Sequence, residues 1–250
     1  MKHGLVILLL FFIHFSFAQV TGDFQTRVSG NWSDFNSWNR YNGTAWVAAV
    51  SGQTPTTTSA VTVQAGHTIS VDNSAAVCND LIFPTNTSRI AFTNTGSILT
   101  VYGNLTFVAN INHINSWTAG AKLVFAGGAD QATTGLTASM TFVNIEVNKT
   151  IGSSVTTDGN LRFGTLLKII SGTLISGSTR DIQGTSASSN IEIDANGTLT
   201  QSGGNGVIRV GSSGTDPIGN VTVDGVMNLN TTSGSGINIT SLNIRSGGRV

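Results

Sequence analysis

Two short stretches built on the same pattern constrain the fold more than any other feature of the chain. Ser171-Gly172-Thr173-Leu174-Ile175 is followed by Asn196-Gly197-Thr198-Leu199-Thr200. Each is a polar residue, a glycine and a run of Thr and aliphatic side chains. Glycine supplies positive φ at a turn, and the Thr-aliphatic run favours a half-buried extended strand. A turn and strand returning at a period of roughly 25 residues is how one coil of a stacked β-solenoid reads.

Strand-like segments extend the pattern in both directions. Val61-Thr62-Val63 and His67-Thr68-Ile69-Ser70-Val71 alternate apolar and polar residues, and Leu81-Ile82-Phe83 stops at Pro84. The hexamer Tyr102-Gly103-Asn104-Leu105-Thr106-Phe107 returns further along as Asp158-Gly159-Asn160-Leu161-Arg162-Phe163, identical at four of six positions. Gly172, Gly197, Gly225 and Gly247 recur at intervals of similar length, and the longer interval from Gly96 to Gly172 has room for three such coils. No six-residue period persists, and no stretch reads as a helix of ordinary length. The expectation is an all-β, right-handed parallel β-helix. Its core is expected to include Leu105, Phe107, Leu161, Phe163, Leu174 and Leu199. A pair of β-sandwiches would also give short strands with frequent turns, but the recurring turn-plus-strand favours the solenoid.

The ends divide the chain into three. Residues 1–18 carry Lys2, an apolar run from Gly4 to Phe17, and small residues at Ser16 and Ala18. This is the pattern of a secretory signal cut before Gln19. The run is too short for a span of roughly 20 apolar residues, so no membrane span is expected after its removal. Residues 19–58 hold Trp32, Trp38 and Trp46 among the turn formers Asp34, Asn36, Asn39, Asn42 and Gly43. They read either as an N-terminal cap over the first coil or as an aromatic platform for sugar rings. Residues 59–250 read as solenoid repeats. The chain stops at Val250 in mid-coil, which gives the expectation of a truncated C-terminus.

Charge limits the partners. Without Lys2 the chain has 11 basic and 12 acidic residues, a net charge of −1, so neither nucleic acid nor anionic lipid finds a basic face. Cys78 is the only cysteine; no internal disulfide forms, and its setting suits a small buried hydrophobe. The sequons at Asn42, Asn104, Asn196 and Asn238 follow from a composition rich in Asn and Thr.

Chemistry-bearing residues are sparse. Beyond the signal only His67 and His113 remain, far apart in the chain and without zinc-helix spacing. A structural role is expected for both. No Gly-x-Ser-x-Gly elbow precedes a helix. Asp181, Glu192, Asp194, Asp216 and Asp224, with Lys168, Arg180 and Arg209, form the one set worth weighing. Parallel β-helix polysaccharide lyases hold calcium on carboxylates of adjacent coils and use an Arg or Lys as base. Glu192 and Asp194, two apart on a strand, would face one side, as chelation requires. The alternative is solvated faces and turn-forming Asp. Gly203-Gly204-Asn205-Gly206 and Gly127-Gly128-Ala129-Asp130 do not complete a calcium nonapeptide, and Gly234-Ser235-Gly236 is turn sequence. Asn144, Asn148, Asn220, Asn228 and Asn243 are candidates for Asn ladders along the solenoid axis. No metal site, catalytic residue or cofactor is expected.

Two stretches carry a resemblance. Ser29-Gly30-Asn31-Trp32 through Trp38, then Gly66-His67-Thr68-Ile69-Ser70-Val71-Asp72 and Gly96-Ser97-Ile98-Leu99, resembles the glycine-rich opening module of large bacterial surface proteins. It is also similar to the eight-glycine domain of some animal receptors. Phe142-Val143-Asn144-Ile145-Glu146-Val147-Asn148-Lys149-Thr150, with Ser171-Gly172-Thr173-Leu174, resembles the repeat unit of adhesin-like proteins exported by type IX secretion. Such proteins usually end in a C-terminal sorting domain, of which this sequence shows no sign. The resemblance implies an extracellular or outer-surface location and no agreed enzymatic activity, and the repeats, low charge and missing catalytic motif favour a structural or adhesive role. A carbohydrate-binding module using Trp32, Trp38 and Trp46, or a lyase-like β-helix enzyme, is the alternative. The partners implied are extracellular polysaccharide or other cell-surface components.

Overall fold

The computed structural model describes residues 19–108, 112–137, 139–177, 180–202, 208–210, 218–229 and 237–250. Residues 1–18, expected from sequence to be a secretory signal, lie outside them, as do Asp216, the 203–206 and 234–236 stretches and the side chain of Arg209.

Short strands separated by corners are what alternating Thr and aliphatic residues between turn formers dictate, and here they wind into stacked parallel coils. One coil runs through Leu81–Phe83, Arg89–Phe92 and Ile98–Val101. The chain then returns to lay Leu105–Phe107 parallel to Leu81–Phe83. Three faces result. On the first, register runs through Leu81, Leu105, Thr133, Thr157, Ser176, Gln201 and Leu229, one residue from each successive coil. The second begins as a four-stranded sheet of Gly30–Asn31, Thr68–Val71, Arg89–Phe92 and Ile114–Trp117. It continues where Phe142, edge-on to Trp117 at 5.7 Å, pairs with Phe163. The long strands Leu161–Ser176 and Asn190–Gln201 bend round corners and contribute to more than one face. The fold is a parallel β-solenoid.

The third face shows the stacking most clearly. Leu99, Leu123, Ile145, Leu167, Ile191 and Val221 form one inward column in continuous register. Cys78, Val101, Phe125, Val147, Ile169, Ile193 and Val223 form the next. All are at most 2% exposed. Cys78 is the foot of a largely aliphatic column, and its thiol is pushed far up by burial and by neighbouring Asp80. The six core residues expected from sequence are all buried.

Two sequence repeats prove to be local rather than coil-to-coil. Leu105–Phe107 lies on the first face, whereas Leu161 and Phe163 pair with Ile182 and Gly184 on the second. The matching hexamers are therefore the same corner used at different vertices. Gly96 and Gly172 likewise mark different corners: Gly96 precedes the third face and Gly172 follows it. At the corner that does repeat, Gly172 opposes Gly197, Val226 pairs with Thr198, and Arg249 bridges to Val226. Register thus makes Gly248, not Gly247, the member following Gly225. Gly172 has φ +77°, as the turn argument requires. Gly197 and Gly225 are needed for a different reason: a Cβ there would collide with the carbonyls of Ile169 and Gly197 in the preceding coil.

At the N-terminal end Phe24–Thr26 pairs parallel with Val61–Thr62 and antiparallel with Trp38–Tyr41, which continues into Trp46–Ala48. This hairpin extends the first face and closes the core. Asp34 caps the single turn of 3-10 helix, Phe35–Ser37, by accepting the Asn36 N–H at 2.9 Å. Trp38 is fully buried, edge-on to Trp32 at 5.2 Å and to Phe24 at 6.2 Å. Its indole N–H donates to the Trp32 carbonyl at 2.9 Å. Such edge-to-face pairs contribute about 0.5–1.5 kcal/mol beyond area burial. At the other end Ile239–Ile244 continues the columns, but Leu242 and Ile244 are 40% and 49% exposed.

Burial at these positions separates two identical substitutions. Leu174→Ala, at 1% exposure, should cost about 2–5 kcal/mol in urea unfolding, whereas Leu242→Ala should cost less than about 1 kcal/mol. Equal losses at both positions would contradict the stacked-column description.

Candidate functional site

Among the described residues, the acidic side chains of the later coils do not converge on one another as a catalytic or metal centre. Val124, Glu146, Lys168, Glu192 and Thr222 follow one another in register on the outer side of the third face. Glu192 and Asp194 do face the same way, around a cation that the chain itself supplies. Lys168 Nζ lies 3.2 Å from Glu192 and 3.4 Å from Asp194. Lys122 meets Glu146 at 2.8 Å, and Arg245 meets Asp224 at 3.3 Å. The hydrogen bond from Lys168 to Glu192, outweighing desolvation, holds the ammonium above the ordinary lysine value. An ammonium has no lone pair to accept a proton, and pairing with two carboxylates favours that form, so Lys168 does not fit a lyase-type base. Asp181 is elsewhere, buried beside Gln183 and accepting its amide at 2.9 Å. The Arg180 carbonyl accepts from Ser176 Oγ at 2.9 Å, while the residue itself is exposed. Among the described residues no three His, Cys, Asp or Glu side chains group as a metal site.

Other carboxylates and amides work at the corners; sequence reading had Asp and Asn as turn formers but missed that they bond the next coil. Where the chain turns, the backbone ladder is interrupted, and an Asp or Asn oxygen accepts a backbone N–H of the next coil instead. Asp23 takes Ala60, Asp80 takes Asn104, Asn104 takes Ala132, and Asp130 takes Ser154, at 2.6–3.0 Å. Asn160 with Asp181 and Asn190 with Asn220 repeat the device at 3.0 and 2.9 Å. Buried serines complement it: Ser97 donates to the Val71 carbonyl and Ser189 to that of Gly164, each one coil back, at 2.7 and 2.6 Å. The available signal was a polar residue three positions before each such serine. Asn94 and Ser186 donate their backbone N–H groups to Ser97 and Ser189.

The expected Asn ladders are mixed pairs. Asn144 donates to the Ala121 carbonyl, Asn148 accepts from Ser171, and Asn228 donates to Thr200. Asn220 accepts from Ser241, and Asn243 stands in register with Thr222. Asn144, Asn148, Asn228 and Asn220 each reach a neighbouring coil. Asn190 and Asn220 come nearest to a ladder, joined from amide side chain to backbone.

Both histidines are tied down. His67 Nδ1 is 2.9 Å from Thr26 Oγ1. His113 is buried between Phe83 and Phe107, its ring nitrogens each 2.9 Å from a carbonyl oxygen, those of Ser88 and Val108. Lys149 is the other buried ionisable group of note, 2% exposed, donating to Gln131 Oε1 at 2.7 Å and to the Ala126 carbonyl at 3.2 Å. Burial pushes its pKa down. A lowered lysine is a candidate nucleophile in an open cleft, but this one is sealed inside a corner.

The aromatic platform of three indoles does not form. Trp32 and Trp38 are buried in the cap at 2% and 0% exposure and offer no face to a sugar. They have gone to the core because the first coil's inner side needs covering. Trp46 is different. It is half-buried on the outer hairpin strand, backed by Tyr41 with ring centres 5.3 Å apart. It lines a cleft of about 560 Å³ between the hairpin and the first face, floored by Gln25, Thr62, Gln64, Asp80 and Ile82.

These features define a parallel β-solenoid with an aromatic-capped end and an open cleft beside the cap. No protein-family model, curated protein or solved structure matches the chain. Among the described residues no helix is long and apolar enough to cross a membrane.

Acid and calcium both probe this electrostatic arrangement. The backbone and side-chain hydrogen bonds from Ser154 hold Asp130 below its ordinary value. Its contribution to stability is therefore complete above the unfolded carboxyl value of about 3.9 and is lost as pH falls through the lower folded value. Urea midpoints of Asp130→Ala should fall less than those of the parent between about pH 5 and pH 2, and should lie lower at neutral pH. Calcium titration should leave the melting temperature unchanged, because the Lys168 ammonium already sits between Glu192 and Asp194 and offsets half of their charge. A rise abolished by Asp194→Asn would restore the calcium reading.

Proposed function

We propose that the protein is a secreted, non-catalytic β-solenoid of the outer cell surface or extracellular space, structural or adhesin-like in role. In this reading residues 1–18 direct export and are removed before Gln19. The resemblance of the 29–99 stretch to surface-protein opening modules, and of the 142–174 stretch to repeats of proteins exported by type IX secretion, supports it. So does the near-neutral charge, which suits neither nucleic acid nor anionic lipid. The observation that carries the non-catalytic part is the fate of the ionisable side chains. Lys122, Lys168 and Arg245 are paired with carboxylates, and Asp23, Asp80 and Asp130 bond the next coil. A rod built this way presents repeated outer faces to extracellular polysaccharide or other surface components.

The test is where the chain goes and what it does there. Expressed with residues 1–18 in a bacterial host, the protein should be recovered outside the cytoplasm with Gln19 as its first residue by mass spectrometry. Incubated with polyuronates, it should release no unsaturated products. Retention inside the cell with Met1 intact would overturn export, and product formation would favour the lyase-like alternative.

A further inference from the structure

We infer that the cleft beside Trp46 is a binding site for a neutral saccharide. The inference goes beyond the surface-protein reading, which stands whether or not the cleft binds sugar. The floor is rigid, because Gln25, Thr62 and Ile82 are outward residues in direct register on three hydrogen-bonded strands of the first face. Over it stands the Trp46 indole, braced by Tyr41. At about 560 Å³ the cleft lies in the range of small-molecule sites, which combine an apolar wall with a few placed polar groups.

The polar groups indicate the ligand class. Gln64 Nε2 donates to Gln25 Oε1 at 2.9 Å, which leaves the Gln25 amide as donor and the Gln64 carbonyl as acceptor toward the cleft. Thr62 adds a hydroxyl. Asp80 Oδ1 is committed to the Asn104 N–H at 2.6 Å, whereas Oδ2 has a long contact of 3.4 Å from Asn79. Donors and acceptors side by side match hydroxyl groups, each of which both donates and accepts. A flat indole matches the C–H face of a pyranose ring. Charge narrows the class further. Among the described residues the walls hold the side chains of Asp23 and Asp80 but no Lys, Arg or His, so phosphate, sulfate or uronate groups would be repelled by the carboxylates, and the α-amino group that processing would leave on Gln19 is the one cation at the rim. An extended peptide finds no free edge on the cleft floor, since Val61–Thr62 is already paired on both sides by Phe24–Thr26 and Leu81–Phe83.

Isothermal titration of the purified protein with neutral oligosaccharides of glucose, mannose, xylose and galactose tests this, with oligogalacturonate as the charged control. At least one neutral series should bind and oligogalacturonate should not. Trp46→Ala should weaken binding about tenfold or more, the size of effect that loss of an aromatic anchor produces. The double variant Gln25→Ala/Gln64→Ala, which leaves the indole in place and alters only outward side chains, should weaken it as well. Circular dichroism and melting temperature check that each variant is folded. Absence of binding by every neutral series overturns the proposal, as does preference for oligogalacturonate. Unchanged affinity in folded Trp46→Ala also overturns it. Should Trp46→Ala not fold, unchanged affinity in the double variant decides against it equally.

Discussion

Every coil of this molecule depends on the hydrogen bonds that run along the solenoid axis. Parallel strands about 4.8 Å apart place each residue directly over its counterpart one coil back. Like then stacks on like: Leu99 to Val221 and Val101 to Val223 form unbroken apolar columns on the third face. The ladder satisfies the backbone only along the straight faces. At the corners its N–H and C=O groups would be left unmet in a half-buried setting, at a cost comparable to a lost hydrogen bond. Asp, Asn and Ser fill those places, accepting from the coil ahead or donating to the coil behind.

That division of labour explains a composition that is otherwise puzzling. Charged residues make up 10% of the chain, too few for a helical surface, and many of those described are bound to a neighbouring coil. Lys168 bridges Glu192 and Asp194, and Asp130 holds the backbone of Ser154. Residues that a catalytic site would borrow are thus committed to holding the rod together. The Trp46 cleft differs because Gln25 and Thr62 sit on a face, where the backbone is already paired and side chains remain available to a ligand.

A cap is needed wherever a parallel stack stops, because an open edge and an uncovered core invite further pairing. At the N-terminal end an antiparallel hairpin supplies the covering strand and two indoles plug the core. Building that plug uses up Trp32 and Trp38 and leaves Trp46, one strand further out, as the indole that reaches a cleft.

The solenoid was legible in the sequence because its signal is local: a polar residue, a glycine and a Thr-aliphatic strand, repeated along the chain. The six inward residues named from that pattern, Leu174 and Leu199 among them, are buried because period-two alternation fixes which side of a strand faces in. Which coil lies over which was not legible. The 102–107 and 158–163 hexamers look like one register position and occupy different faces, since coil lengths vary and a corner motif fits any vertex. Nor could sequence separate the three tryptophans, whose spacing is compatible with a cap and with a platform alike. Only the stacking decided that Trp38 meets Phe24 under the first coil while Trp46 stands outside it. The same holds for Glu192 and Asp194: alternation put them on one side of a strand, but Lys168 belongs to the preceding coil and comes between them only when the coils close.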